Sequence, residues 1–226
     1  MANYEAQIKP GGLSQRNLVD LLYMIVASIK GICAKLDDDG GVTATTYEAT
    51  AYTAIFNGYI EDSRGNSIMN RANDGGTPKV YVTDERFFII TPMGVSDHDL
   101  NECIYQIFDM FETLTEACDT DALGDSNYEA LCYTALFTWI IENRKGSALG
   151  NGTTYYFRPG GMHNQDQLID LLYKIVDAIE TLTEKLDADG TVTDTNYEAL
   201  WFTATVTMRV QNSQGNVVGN TITVTP

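Results

Sequence analysis

The stretch Leu186-Asp-Ala-Asp-Gly-Thr-Val-Thr-Asp-Thr-Asn-Tyr-Glu-Ala-Leu200 decides the reading, because it is not unique. Leu36-Asp-Asp-Asp-Gly-Gly-Val-Thr-Ala-Thr-Thr-Tyr-Glu-Ala-Thr50 aligns with it without a gap, 150 residues upstream. Cys118-Asp-Thr-Asp-Ala-Leu-Gly-Asp-Ser-Asn-Tyr-Glu-Ala-Leu131 is a third copy, one residue shorter. Self-similarity at this scale points to a repeat architecture, in which one supersecondary unit recurs and buries its apolar face against its neighbours.

Working upstream, each copy is preceded by an amphipathic segment. The apolar positions are Leu18, Leu22, Ile25, Ile29, Ile32 and Leu36 in the first. They are Leu100, Ile104, Ile107, Phe111, Leu114 and Cys118 in the second, and Leu168, Leu172, Ile175, Ile179, Leu182 and Leu186 in the third. Steps of four and three in alternation give a 3.5-residue period, the seam of a coiled coil. A helix with one such seam is marginal alone in water and needs partners. The three helices of one chain forming a bundle is the favoured arrangement. Association of equivalent helices from several chains is the alternative. Leu21, Val26, Cys103, Phe108, Met110, Leu171 and Val176 widen the apolar face, as expected of helices also covered by strands.

Ser14, Ser96 and Asn164 stand where N-caps are wanted. Each unit begins with a strand-like piece ending in Pro and small residues, at Pro10, Pro92 and Pro159. Downstream of each acidic turn lies a β-branched and aromatic run: Tyr52–Phe56, Tyr133–Phe137 and Phe202–Val206. These read as strands leading through Gly turns into hairpins. In the last unit the hairpin is expected over Ala204–Val210 and Thr221–Val224. The N-terminal strand-like piece is expected to pair with this last unit and close the set.

The expected fold is therefore α+β, with three tandem helix–turn–β-hairpin repeats. A three-helix coiled-coil-like bundle would carry peripheral antiparallel strands in a pseudo-threefold arrangement. The boundaries fall at 1–12 for the N-terminal strand, 13–92, 93–159 and 160–226 for the repeats, within one compact domain. A Gly/Asn-rich insertion at 70–78 is confined to the first repeat and breaks the symmetry.

Charge and composition remove several functions. Acidic residues outnumber basic ones 31 to 14, for a net charge of -17, which opposes binding to phosphate backbones. A membrane is not an expected partner, since no long uncharged apolar run appears. The N-terminal sequence has no secretory pattern. Cys33, Cys103, Cys118 and Cys132 lack zinc spacing and read as buried thiols in a reducing compartment.

The acidic turn is the candidate site. Asp37, Asp39 and Glu48, then Asp119, Asp121 and Glu129, then Asp187, Asp189 and Glu198 recur together. They motivate Ca²⁺ as a candidate ligand, although Gly190 falls at position 4 rather than the position 6 that an EF-hand loop requires. The alternative is a structural turn. Thr45, Ser126 and Thr195 each precede a Glu by three residues, the capping-box spacing. Tyr47, Tyr128 and Tyr197 follow at equivalent places and read as core anchors with hydrogen-bonded hydroxyls. Ser126, within Gly124-Asp-Ser-Asn127, resembles a hydrolase nucleophile block, but the other units lack that serine. His98 and His163 have no evident orienting partners, so no catalytic residues and no enzyme activity are expected.

The string Lys185-Leu-Asp-Ala-Asp-Gly-Thr-Val-Thr-Asp-Thr-Asn-Tyr197 resembles a motif of small virion-associated proteins of tailed bacteriophages. The resemblance is best in the third unit, weaker over Asp37–Tyr47, and loose over Asp119–Tyr128, which lacks the Val-Thr step. It implies a particle component made in the host cytoplasm and located in the virion. The implied role is a head decoration, cement or accessory capsid protein. Its partners would be other virion proteins, chiefly the major capsid protein, together with self-association. A tail, collar or fibre-attachment part is a close variant, and a calcium-dependent surface-binding module is the competing reading.

Overall fold

A computed structural model describes residues 7–8, 14–43, 46–53, 58–69, 88–91, 93–121, 123–124, 127–134, 139–142, 148–149, 155–157, 165–194, 196–198, 209–211 and 217–218. The fold is α+β. Its helices are α1 (Gln15–Asp38), α2 (Asp97–Thr120) and α3 (Gln165–Ala188), each of 24 residues or about 36 Å at 1.5 Å per residue. The Ser14 hydroxyl accepts the Asn17 N–H and the Ser96 hydroxyl accepts the Asp99 N–H, so both are the N-caps their type favours. Asn164 lies outside the described residues.

Every seam position is buried: Leu18 to Leu36 in α1, Leu100 to Cys118 in α2, and Leu168 to Leu186 in α3. The second stripe, including Leu21, Val26, Cys103, Phe108, Met110, Leu171 and Val176, is buried in the same continuous core. Helix α1 packs against both α2 and α3. By length and composition α1 is apolar enough to cross a membrane, yet 67% of that apolar window is buried inside the molecule. The core accounts for its hydrophobicity.

The strands are β1 (Gln7–Ile8), β2 (Gly58–Glu61), β3 (Ser67–Met69), β4 (Phe88–Ile90), β5 (Trp139–Glu142), β6 (Ala148–Leu149), β7 (Tyr155–Phe157), β8 (Arg209–Gln211) and β9 (Val217–Val218). They form three sheets, ordered β3-β2-β4, β6-β5-β7 and β1-β8-β9. The sheets are mixed, which corrects the expectation of a purely antiparallel periphery. Each central strand pairs antiparallel with its hairpin partner and parallel with a strand that precedes a helix. In the first two sheets the reason is the number of reversals. After the hairpin the chain turns once more, so the next strand runs in the direction of the first and takes its free edge.

Ile60, Phe88 and Ile90 are fully buried, which fastens the β2–β4 pair to the core. The expected closure is observed: β1 pairs in parallel with β8, Gln7 opposite Arg209 and Ile8 opposite Val210. The last hairpin returns through Val217–Val218. The expected return strand Thr221–Val224 and the insertion 70–78 lie outside the described residues.

A second correction concerns the run after the acidic turn. Glu48–Thr53 and Glu129–Thr134 are π-helical turns, so the expected strands do not begin at Tyr52 and Tyr133; the rest of those runs, 54–56 and 135–137, and the third run, 202–206, lie outside the described residues. Tyr47, Ala51 and Tyr52 are buried, a spacing that only a helical path puts on one face. The β-favouring composition is overridden by capping from a distant carboxylate and by this burial.

Candidate functional site

The nine candidate acids separate into three roles. Asp37, Asp119 and Asp187 sit in the last turn of their helices or just before its end, and each turns both oxygens onto its own downstream turn. The Asp37 carboxylate accepts the N–H groups of Tyr47 (2.6 Å) and Glu48 (2.9 Å). Asp119 accepts those of Tyr128 (2.6 Å) and Glu129 (3.0 Å). Asp187 accepts those of Tyr197 (2.7 Å) and Glu198 (3.0 Å). A helical turn starts with unsatisfied N–H groups, and a carboxylate there supplies both the acceptor and a favourable charge. The capping-box hydroxyls Thr45, Ser126 and Thr195 lie outside the described residues. The caps that are seen come from nine to eleven residues upstream.

Asp39, Asp121 and Asp189 reach across to other segments. Asp39 accepts the Gly41 N–H (2.8 Å), then the Thr193 N–H (3.0 Å) and hydroxyl (2.7 Å), the Asp194 N–H (2.9 Å) and the Tyr197 hydroxyl (3.3 Å). Asp121 accepts the hydroxyls of Thr43 and Tyr47, the latter at 2.9 Å. Asp189 accepts the N–H groups of Thr191 (2.9 Å) and Gly124 (3.1 Å) and the Tyr128 hydroxyl (2.7 Å).

The order is cyclic. The turn after α1 holds the end of α2, the turn after α2 holds the end of α3, and the turn after α3 holds the end of α1. The C-termini of all three helices therefore meet, while the Val95 N–H before α2 reaches the Gln15 side chain at the start of α1 (3.4 Å). Helices α1 and α2, close at both ends, therefore run side by side in the same direction.

Electrostatics follow from this wiring. Burial alone would raise the Asp39 carboxyl, but donors from Thr193, Gly41 and Asp194 outweigh it and hold the group at about 2. The hydroxyls of Tyr47 and Tyr197 are pushed well above the ordinary phenol value, first by burial and then by neighbouring negative charge and their Asp partners. They stay protonated and donate. Lys35 lies 4.2 Å from the Tyr197 ring centre and 3.6 Å from Asp194, and Lys185 lies 4.5 Å from the Tyr128 ring centre. In each case the lysine stands four residues before the Asp that takes the tyrosine's hydroxyl. Ala117 occupies that place for Tyr47. Asn127 and Asn196 have φ of 83° and 82°, a left-handed conformation that Asn tolerates better than most residues. This gives a physical reason for Asn in two of the three Tyr-Glu-Ala steps.

The third-role acids, Glu48, Glu129 and Glu198, point elsewhere and are half-buried. Glu48 contributes its charge near Cys33 and Tyr52. Glu129 joins Glu112 and Glu116, with carboxylate oxygens within 4.8 Å of one another, and these three are able to hold a metal ion. Sequence reasoning missed Glu112 and Glu116. Their i, i+4 spacing on a helix was the available signal. Around Glu180, the charges of Glu184, Asp177 and Glu198 add to burial and raise its carboxyl to about 7.

Within each described turn the two aspartates are thus engaged by different donors, one by its own downstream turn and the other by a neighbouring turn. The remaining candidates fit this picture. Cys33, Cys103, Cys118 and Cys132 are free and buried, and burial is the first cause raising each thiol, to about 12 at Cys132, so they are not poised as nucleophiles. His98 lies 3.9 Å from Asp99 on an exposed first turn. His163 and Ser126 lie outside the described residues.

No family model, curated protein or solved structure matches the chain.

Proposed function

We propose that this is a non-enzymatic structural protein of a tailed-phage virion, a head decoration or cement component that binds assembled shell. Its three tandem repeats form a pseudo-threefold body, with a coiled-coil-like bundle at the centre and one mixed sheet per repeat outside. The observation that carries this reading is the cyclic set of Tyr47–Asp121, Tyr128–Asp189 and Tyr197–Asp39 hydrogen bonds. It makes acids of the phage-like Asp-x-Asp step part of the scaffold and supports reading the three units as equivalent.

A body with three near-equivalent faces suits a point where shell subunits meet in threes. Affinity there would come from repeated weak contacts engaged together. The acidic surface would keep particles apart. Its binding partner in this reading is the major capsid protein, and neither nucleic acid nor membrane is required.

The test is quantitative mass spectrometry of purified particles, with this chain counted against the major shell protein. Copies on the order of the number of local threefold points support decoration. A few copies per particle would move the protein to a vertex, collar or tail. Absence from particles would overturn the virion reading.

A further inference from the structure

The step Thr91-Pro92-Met93-Gly94 leads into α2. The matching steps of the other repeats are Lys9-Pro10-Gly11-Gly12 and Arg158-Pro159-Gly160-Gly161, so two of the three carry no side chain where Met93 stands. The Met93 side chain is 95% exposed, and among the described residues it is the one large apolar group left in solvent. Met24 and Met110 lie in the core, at 1% and 0%.

The backbone beneath Met93 is fixed from both sides. The Gly94 N–H donates to the Thr91 carbonyl (3.0 Å) and the Thr91 N–H to the Gly94 carbonyl (3.3 Å), which closes the turn. Gly94 has φ of 132°, a conformation open to glycine and strained for other residues. Val95 is held by Gln15 at the start of α1, and Ser96 then caps α2. On the other side Thr91 follows directly on β4, whose Phe88 and Ile90 are fully buried. The thioether is thus displayed by a tied backbone and adds little burial of its own.

We propose that Met93 is a site of reversible oxidation, its thioether taking one oxygen from a peroxide while the fold stays intact. A sulfur lone pair attacks one oxygen of hydrogen peroxide, the S–O bond forms and the O–O bond breaks. The proton on the transferred oxygen passes to the departing hydroxide, leaving a sulfoxide and water. Sulfur gives up an electron pair and the peroxide takes it. Sulfoxide reductases return the thioether, with the oxygen leaving as water and a pair of thiols becoming a disulfide. Oxidation converts an apolar tip beside the first turns of α1 and α2 into a polar, chiral one. The same reaction at Met24 or Met110 would place a polar group in the core, and burial closes that route.

The test treats the full chain with limiting hydrogen peroxide and quenches with free methionine. Cleavage at acidic residues separates Met93 from Met110, since Asp97, Asp99 and Glu102 lie between them. The expected result is a Met93 peptide that gains one oxygen while the Met24 and Met110 peptides keep the parent mass. In urea the three should oxidise alike. Sulfoxide reductases for both epimers, with dithiothreitol, should restore the parent mass at Met93. Oxidation of Met24 or Met110 as fast as Met93 in the folded chain overturns the proposal. A preference for Met93 that persists in urea also overturns it, by assigning the preference to local sequence. So does a Met93 sulfoxide that the reductases leave untouched. Met93→Leu, treated alike, isolates the effect on the fold: a peroxide-induced fall in Tm that this variant prevents is the remaining result that overturns it.

Discussion

The Tyr128 hydroxyl donates to Asp189 Oδ2 at 2.7 Å, a buried hydrogen bond between residues 61 positions apart. Its two counterparts are longer, 2.9 Å for Tyr47–Asp121 and 3.3 Å for Tyr197–Asp39. Tyr128→Phe leaves the ring in place and strands one lone pair of a buried carboxylate. We expect a loss of about 1.5–3 kcal/mol, the range for hydrogen bonds to charged groups. Tyr197→Phe should cost less, because its bond is longer and Asp39 keeps four other donors. Urea unfolding of the two variants checks the order, and equal losses would contradict it.

Two adjacent glycines should behave oppositely. A Cβ on Gly41 would lie 1.9 Å from the Thr191 carbonyl oxygen, whereas one on Gly40 meets nothing closer than the Thr193 hydroxyl at 3.9 Å. The first is a backbone contact between turns that follow different helices, and it has no flexible side chain to yield. Gly41→Ala should destabilise by about 1–3 kcal/mol, the cost of overpacking. Gly40→Ala should fall within about 0.5 kcal/mol of the parent. Thermal melts of the pair measure the difference directly.

Stability should peak on the acid side of neutrality. Glu180 has its carboxyl raised to about 7 by burial and by Glu184, Asp177 and Glu198. The folded form therefore holds a proton that the unfolded form releases near 4.5, and stability falls as pH rises from there to 7. Asp39 sets the opposite limb. Its carboxyl is held at about 2, so its contribution is complete above the ordinary value of 3.8 and is lost as pH falls toward 2. Glu180→Gln should raise the Tm at pH 7.5 and leave it nearly unchanged at pH 4. A Tm profile that is flat between pH 5 and 7.5 in the parent would refute the assignment.

The acidic turns should ignore calcium. Asp37 already accepts two backbone N–H groups and Asp39 accepts five donors. Any effect of millimolar Ca²⁺ on the Tm should therefore be the same in the parent and in Asp37→Ala, while Asp37→Ala itself should cost about 1–2 kcal/mol as the loss of a cap. A calcium-induced rise in Tm that Asp37→Ala abolishes would reverse this account.

What was legible in the sequence follows the range of the physics. The seams of α1, α2 and α3 are local patterns, and all eighteen positions are buried because a helix places every third or fourth residue on one face whatever lies opposite. The caps Ser14 and Ser96 are equally local. The partners of Asp39, Asp121 and Asp189 were not legible, since they depend on where turns 61 to 158 residues away come to rest. The start of the run at Tyr52 and Thr53 misled for a related reason. Its composition favours a strand, but the Asp37 carboxylate fixes a helical start at Tyr47 and Glu48. The position of Glu112 and Glu116 beside Glu129 joins a local spacing to a non-local approach, and only the first half was readable.

Three helix C-termini gathered together have one further effect. In an up-down bundle the negative ends of neighbouring helix dipoles lie at opposite poles, but here all three gather at one pole, where Asp39, Asp121 and Asp189 also lie. The described helical core therefore carries a fixed polarity at that pole, beyond what net charge conveys. A positively charged surface would be met most favourably by that pole.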